Sequence, residues 1–228
     1  MTSMNKLNHV AFIMDGNGRW GKKKGRSRNY GHLKGVETVE KIVESSIKLK
    51  IPIITFYVFS TENWKRPKSE INFLFKLINK FFQDKINNVI KNGIKIKIMG
   101  EKKKLPISIR NNLDLVEKKT ISNKKLVVNL ALNYGSKNEI VEAVKKIKKK
   151  GQAVNEKVIA KNLFNNGQYD PEILIRTGGK RRLSNFMLWQ LAYSEIYFLE
   201  KLWPDFNEKD LKKILNHFKN IKRNFGKI

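Results

Sequence analysis

The sequence contains no cysteine, which excludes disulfides and thiolate-held metals. Histidine occurs only three times, at His9, His32 and His217, too few for a histidine-rich zinc site. No apolar run approaches the ~20 residues of a membrane helix, and the longest, Ile51–Phe59, falls far short. Met1–Asn8 lacks the apolar centre of a signal peptide. Internal repeats, low-complexity tracts and flexible linkers are also missing. With 228 residues, the expectation is one soluble, cytoplasmic domain over residues 1–228. Such a chain can hide roughly 70% of its unfolded surface.

Acid is the other scarcity. Asp and Glu number 20 against 48 Lys and Arg, a formal net charge of +28. Such a balance suits nucleic acid, anionic membrane or anionic substrates. Only nine of the 48 are arginine (19, 26, 28, 66, 110, 176, 181, 182 and 223). The lysines are scattered, and runs such as Lys22–Lys24, Lys102–Lys104 and Lys148–Lys150 read as solvated surface. Most arginines, in contrast, sit inside motifs. A nucleic-acid module wants arginine and exposed aromatics on one face, so no nucleic-acid partner is expected.

Apolar runs and helical patterns alternate along the chain. Strands are expected at His9–Met14, Ile51–Phe59, Ile94–Met99, Leu126–Leu132, Ile173–Ile175 and Glu195–Leu199. Helical spacing marks Leu33–Leu49, Glu70–Asn92, Asn138–Lys149 and Glu208–Arg223, with one short helix in the polar stretch from Gly151 to Gln168. Strands separated by helices predict an α/β fold: a mostly parallel sheet of about six strands, covered on both faces.

The first strand closes on Asp15-Gly-Asn-Gly-Arg-Trp-Gly21, a G-x-G-x-x-G match. A dinucleotide fold is the obvious reading, but Asp15 would repel a pyrophosphate. The ribose-binding acid would be Glu37 or Glu40, and both fall inside a helical pattern rather than at a strand end. A carboxylate is welcome beside a diphosphate when a divalent cation lies between them. Mg²⁺ fits, because it takes one or two carboxylates plus phosphate oxygens. Gly16 and Gly18 permit close backbone approach, Arg19 and Arg28 offer paired donors, and His32 follows. The plainer alternatives are a structural turn with surface arginines, and a capping role for His32.

Two further strand ends carry similar chemistry. Ile51–Phe59 delivers Ser60-Thr-Glu-Asn-Trp-Lys-Arg66, with an amide, an aromatic wall and a guanidinium. Ile173–Ile175 delivers Arg176-Thr-Gly-Gly-Lys-Arg-Arg182-Leu-Ser184, a second anion cradle. In parallel sheets both loops face the crevice beyond the carboxyl ends of the strands. Two cradles suggest two phosphorylated substrates rather than one nucleotide. Glu195 stands in an apolar stretch, where a carboxylate needs a cation or a metal. Helix 70–92 is apolar on more than one side, which suits core, an oligomer interface or a hydrocarbon pocket.

His-Val-Ala-Phe-Ile-Met-Asp-Gly-Asn-Gly-Arg-Trp, Phe-Ser-Thr-Glu-Asn-Trp-Lys-Arg-Pro, Ile-Arg-Thr-Gly-Gly, Leu-Ser-Asn-Phe-Met-Leu-Trp-Gln and Glu-Ile-Tyr-Phe…Leu-Trp-Pro-Asp-Phe occur in that order over about residues 8–226. The chain resembles the cis-prenyltransferases, specifically the bacterial undecaprenyl diphosphate synthases. That resemblance implies Mg²⁺-dependent elongation of farnesyl diphosphate by isopentenyl diphosphate, in a homodimer with an apolar tunnel and a non-Rossmann sheet. It implies Asp15 and Asn63 as catalytic residues, and Asp15 and Glu195 as metal ligands. Implied substrate-binding residues are Gly16, Asn17, Gly18, Arg19, Trp20, Arg28 and His32 on the allylic side. Ser60, Thr61, Glu62, Trp64 and Arg66 form the middle loop, and Arg176, Arg182, Leu183 and Ser184 the isopentenyl side. A lipid product and the positive surface suggest peripheral contact with anionic membrane. Two positions depart from the pattern: Lys180 replaces an acidic residue, and Arg223 precedes Asn224-Phe225-Gly226 where Arg-x-Gly is usual. A noncatalytic partner subunit of this family would lose the Asp15 motif, which is present here.

Overall fold

The computed structural model describes residues 5–224. Phe225 and Gly226 therefore lie outside the described residues. Six strands form one sheet: β1 (His9–Ile13), β2 (Ile53–Ser60), β3 (Ile94–Met99), β4 (Leu126–Tyr134), β5 (Ile173–Arg176) and β6 (Glu195–Phe198). Their order is β3-β4-β2-β1-β5-β6, and every pairing is parallel. A dinucleotide-binding sheet runs 3-2-1-4-5-6, so the topology rejects that reading independently of Asp15.

Among the described residues seven α-helices flank the sheet, the first six between strands and the last after β6: α1 (Asn17–Lys23), α2 (Arg28–Lys48), α3 (Lys68–Lys91), α4 (Ile107–Thr120), α5 (Ser136–Lys149), α6 (Glu156–Asn162) and α7 (Glu208–Asn220). The expected strands all appear, within a few residues. Helices α1 and α4 are absent from the sequence-based expectation. α1 has no apolar stripe and is held by close packing: a Cβ on Gly31 of α2 would stand 1.9 Å from the Asn17 carbonyl oxygen. α4 does carry a stripe (Ile109, Leu113, Val116 and Thr120, all buried), but lysine-rich flanks obscure it.

Alternation along β1 divides the core. Val10 and Phe12 join a large cluster with Ile42, Phe56, Trp203, Phe206 and Phe218, while Ala11 and Ile13 join a smaller one with Tyr134, Phe186 and Met187 on the opposite face. Phe12, Phe56, Trp203 and Phe206 form edge and stacked ring pairs at 5.1–6.2 Å. Among the described residues, no helix is long and apolar enough to cross a membrane.

A polar chain runs through three central strands. The His9 ring lies 2.7 Å from the Tyr169 carbonyl through Nδ1 and 2.7 Å from Thr55 Oγ1 through Nε2. The carbonyl can only accept, so Nδ1 donates and Nε2 accepts the Thr55 hydroxyl proton. Thr55 Oγ1 in turn accepts from Asn129 Nδ2 at 2.9 Å. A fully buried imidazole with this pattern has to be neutral, and burial, opposed by the Tyr169 hydrogen bond, lowers its pKa from 6.5 to about 4. The unfolded chain takes up that proton near pH 6.5 and the native one only near pH 4. Stability is therefore lost as pH falls between those values, by about 3 kcal/mol at most. His9→Gln is expected to flatten the difference between urea midpoints at pH 7 and pH 4.5. An unchanged difference removes His9 as the cause.

Candidate active site

The chain changes direction at β1: β2 lies on one side of it and β5 on the other. Such a switch point opens a crevice at the carboxyl ends of the strands, and two of the charged loops meet there. Ile13 pairs with Arg176 in the ladder, which brings the residues after β1 against the end of β5. Gly16 makes the turn with φ +114°, and a Cβ there would stand 2.8 Å from Leu202 Cδ2. Glycine is required on both counts.

The Asp15 main chain is fixed from two sides, its carbonyl accepting from Thr177 Oγ1 at 2.8 Å and Trp203 N at 3.1 Å. Its carboxylate accepts from Arg19 Nη2 and from Arg176 Nη2, each at 3.0 Å. Arg19 also donates to the Gly178 carbonyl at 2.7 Å. Arg176 is only 3% exposed and donates from Nη1 to Ser184 Oγ at 2.8 Å and to the Arg182 carbonyl. Ser184, Asn185 and Met187 have φ of +51°, +61° and +45°, a run of left-handed conformations that costs about 1–3 kcal/mol per residue. Neighbours hold the loop there: Tyr57 Oη donates to the Ser184 carbonyl, and Asn185 Nδ2 donates to Glu62 Oε1.

β2 ends in a short 3₁₀ turn, Thr61–Lys65, in which Ser60 N donates to Asn63 Oδ1 at 3.1 Å. Trp64 turns inward. Its Nε1 donates to Asn133 Oδ1 at 2.7 Å and its ring contacts Phe59 and Phe75.

The second cationic group is organised by Glu70, in the first turn of α3. Its carboxylate lies 3.2 Å from Arg28 Nε, 3.1 Å from Arg66 Nη1 and 3.4 Å from His32 Nε2. Burial alone would raise the Glu70 pKa, but the Arg28 hydrogen bonds and the Arg28 and Arg66 charges bring it below the ordinary value. Burial lowers the pKa of His32, with Glu70 opposing and Arg66 and Arg28 assisting. At neutral pH the site therefore holds an ionised Glu70 and a neutral His32.

Asp15, Asn17, His32, Ser60, Glu62, Asn63, Arg66, Arg176, Arg182 and Ser184 line one cleft of about 630 Å³. Arg19 and Arg28 join it through Asp15 and Glu70. The cleft shares Met14, Asn17, His32, Val58 and Leu74 with an apolar cavity of about 120 Å³, lined further by Val39, Leu77, Phe81 and Phe82. A third cavity, about 170 Å³, lies beyond it between α2 and α3 and shares Val39, Phe81, Phe82 and Leu130.

Several expected site residues do not line the cleft. Trp20 stacks on Tyr30 and donates to Asp205. Leu183 packs in the smaller core cluster. Thr61 lies against Gly135, and Gly18 makes room for the Arg28 guanidinium, 2.8 Å from where its Cβ would be. Glu195 is on the outermost strand and lies 3.4 Å from Arg223 Nε. Sequence reasoning missed Glu70 altogether, because Arg66 lies outside the helix that carries it and Arg28 and His32 are distant in sequence.

Among the described residues, no three His, Asp or Glu side chains gather into a metal cluster. Mg²⁺ does not need one, because a single carboxylate plus diphosphate oxygens suffices. Asp15, with a side chain 28% exposed in the cleft wall, fits that requirement.

A family model describing undecaprenyl diphosphate synthases matches residues 13–226. An isoprenyl transferase of Oceanobacillus iheyensis is 45% identical, over 96% of this chain and 90% of its own. One of Fusobacterium nucleatum is 42% identical, over 96% of each. A crystal structure of a probable undecaprenyl diphosphate synthase from Campylobacter jejuni superposes with a TM-score of 0.86 at 37% identity, covering 98% of this chain and 100% of that one. Lavandulyl diphosphate synthase from Lavandula x intermedia, in complex with dimethylallyl diphosphate, gives 0.92 at 33% identity, covering 96% and 98%. Matched in sequence along nearly its whole length and superposing closely on solved relatives, the chain belongs to the undecaprenyl diphosphate synthase family of prenyltransferases.

Proposed function

We propose that the protein joins isopentenyl diphosphate to farnesyl diphosphate, repeatedly and with Z geometry, to give a long polyprenyl diphosphate of undecaprenyl length. One observation carries the reading: a cleft with two cationic groups, around Asp15 and around Glu70, opens directly onto apolar cavities. A diphosphate with a hydrocarbon tail matches that junction.

In each cycle the allylic carbon–oxygen bond breaks and diphosphate leaves. A carbon–carbon bond forms to the terminal alkene carbon of isopentenyl diphosphate, and one proton departs. Arg19, Arg28 and backbone N–H groups at Asn17–Arg19 hold the allylic diphosphate, where they stabilise the negative charge growing on it. Mg²⁺, held by Asp15 and diphosphate oxygens, would add a divalent charge at the same place. Arg176, Arg182 and Ser184 hold the second diphosphate and align its alkene. Asn63, its amide oriented by Ser60 N–H, stands in the cleft where a weak acceptor for the leaving proton is needed. The homodimer and the contact with anionic lipid belong to the same reading. The acid-free stretch from Gly16 to Val36, with Lys22, Lys23, Lys24 and Arg26 exposed, is the surface suited to the lipid.

The test is incubation of the purified protein with farnesyl diphosphate, labelled isopentenyl diphosphate and Mg²⁺, with chains resolved by chromatography. A ladder ending near eleven isoprene units is expected, and a chelator is expected to abolish it. A single short product would favour a coupling enzyme of smaller allylic diphosphates, the alternative raised by the dimethylallyl diphosphate bound in the lavender structure. No product from a folded chain would favour the noncatalytic subunit.

A further inference from the structure

Three strand-end loops meet at one side chain that the proposed chemistry does not use. Asn185 follows Ser184 and has φ +61°, a left-handed conformation that asparagine adopts more readily than most residues. Its carbonyl accepts from Ser136 N at 2.8 Å, and its Oδ1 accepts from Lys137 N at 2.9 Å. Those amides open the first turn of α5, whose own N-cap, Gly135, has no side chain to offer them. From the same side chain, Nδ2 donates to Glu62 Oε1 at 2.9 Å, in the loop after β2. Gly135 leaves the room for this convergence: a Cβ there would stand 2.7 Å from Asn185 Nδ2 and 2.6 Å from Thr61 Oγ1. Both polar atoms of the Asn185 amide are thus engaged by protein, one at the start of α5 and one on the loop that carries Asn63 and Arg66.

We propose that Asn185 is a positioning residue whose bond to Glu62 fixes the spacing between two loops. One carries Arg182 and Ser184, which hold the second diphosphate; the other carries Asn63, which faces the departing proton. This deepens, and rests on, the reading that the protein couples isopentenyl diphosphate to an allylic diphosphate. The alkene is aligned from its diphosphate end while its proton leaves toward the other loop, so the two loops must keep register. The Glu62 loop is anchored twice more, by Trp64 on Asn133 and by Arg66 on Glu70. The other loop carries the backbone strain, with Ser184, Asn185 and Met187 all at positive φ, so it is the one that shifts when the link is cut. The described ion pairs of Arg28, His32 and Glu70 do not involve Asn185, and the allylic side stays in place.

The experiment measures one condensation of farnesyl with isopentenyl diphosphate in Mg²⁺, and farnesyl diphosphate binding by tryptophan fluorescence, in proteins checked by thermal melting. Asn185→Asp tolerates the left-handed backbone, keeps the acceptor for Lys137 N and turns a carboxylate instead of a donor toward Glu62. Asn185→Gly also tolerates the backbone and adds no charge. Both are expected to lower kcat/KM for isopentenyl diphosphate by at least about tenfold, toward the ~10²-fold that a misplacement of about 1 Å costs, with farnesyl diphosphate affinity within about twofold of the parent. Adding Glu62→Gln to Asn185→Asp lets the new amide donate back to the new carboxylate. It is expected to recover about fivefold or more, whereas Glu62→Gln in the parent background is expected to bring no gain. Parental kinetics in Asn185→Gly overturn the proposal, since any loss in Asn185→Asp would then come from its charge alone. Glu62→Gln acting equally in both backgrounds overturns it too, as does an equal loss of farnesyl diphosphate affinity, the mark of a generally loosened cleft. A parent that forms no product strikes the underlying reading, before any variant is compared.

Discussion

Asp15→Asn is expected to fold, keep its cleft and turn over about a thousandfold more slowly, in the range seen when one preorganised charge-stabilising group is removed. The substitution preserves shape and one acceptor oxygen, so Arg176 keeps part of its anchoring. Partial loss at a buried guanidinium costs about 1–3 kcal/mol of stability, which leaves a folded protein at 25 °C. What disappears is the negative charge between Arg19 and Arg176. Two consequences have opposite signs. Without metal, a diphosphate no longer meets a repelling carboxylate and binds more tightly. With Mg²⁺, the proposed anionic ligand is gone and kcat is expected to collapse. Tryptophan fluorescence titration with farnesyl diphosphate in chelator, beside steady-state kinetics in Mg²⁺, measures both. Equal kcat for variant and parent would remove Asp15 from the chemistry.

Glu70→Ala has the second largest expected effect, at a residue that touches no substrate in the proposed reading. Arg28 and His32 come from α2 and Arg66 from the loop before α3, and the described contacts bring all three to one carboxylate. Without it the two guanidinium groups repel one another, His32 loses its partner and their geometry relaxes. Misplacement of positioning groups by about 1 Å can cost ~10²-fold, and a loss of that size is expected in kcat/KM, mostly through KM for the allylic diphosphate. Arg28 and Arg66 are partly exposed, with side chains 47% and 35% accessible, so the stability cost stays near ~1 kcal/mol. Glu70→Asp, shorter but charged, is expected to recover part of KM. Unchanged KM in Glu70→Ala would show that the cations are positioned by other contacts.

Much of this was legible before any coordinates. The strands are short β-branched or aromatic runs with punctuation at their ends, and one-dimensional pattern suffices for them. Asp15, Arg176 and Ser184 were legible because they follow strand ends, and parallel topology sends all such loops to one crevice. Glu70 was not, because its meaning lies in three partners distant in sequence or hidden by a helical register. Trp20 and Trp64 were legible as motif members but not as to direction: an indole beside charged residues can face the ligand or bolt the loop from behind. Here Asp205 claims the first and Asn133 the second. Helix α1 escaped because its formation depends on tertiary contact with α2 through glycines rather than on its own stripe.

The placement of β1 between β2 and β5 also bears on the birth of the protein. The Glu70 cluster needs only the first 70 residues, which leave the ribosome early. Asp15 waits for a partner 161 residues later, Arg176, and for the amide of Trp203 that helps anchor its carbonyl. Domains of this size acquire long-range contacts late. A nascent chain can thus gather one cationic group while the other remains open, and it becomes competent for chemistry only when nearly the whole polypeptide has emerged.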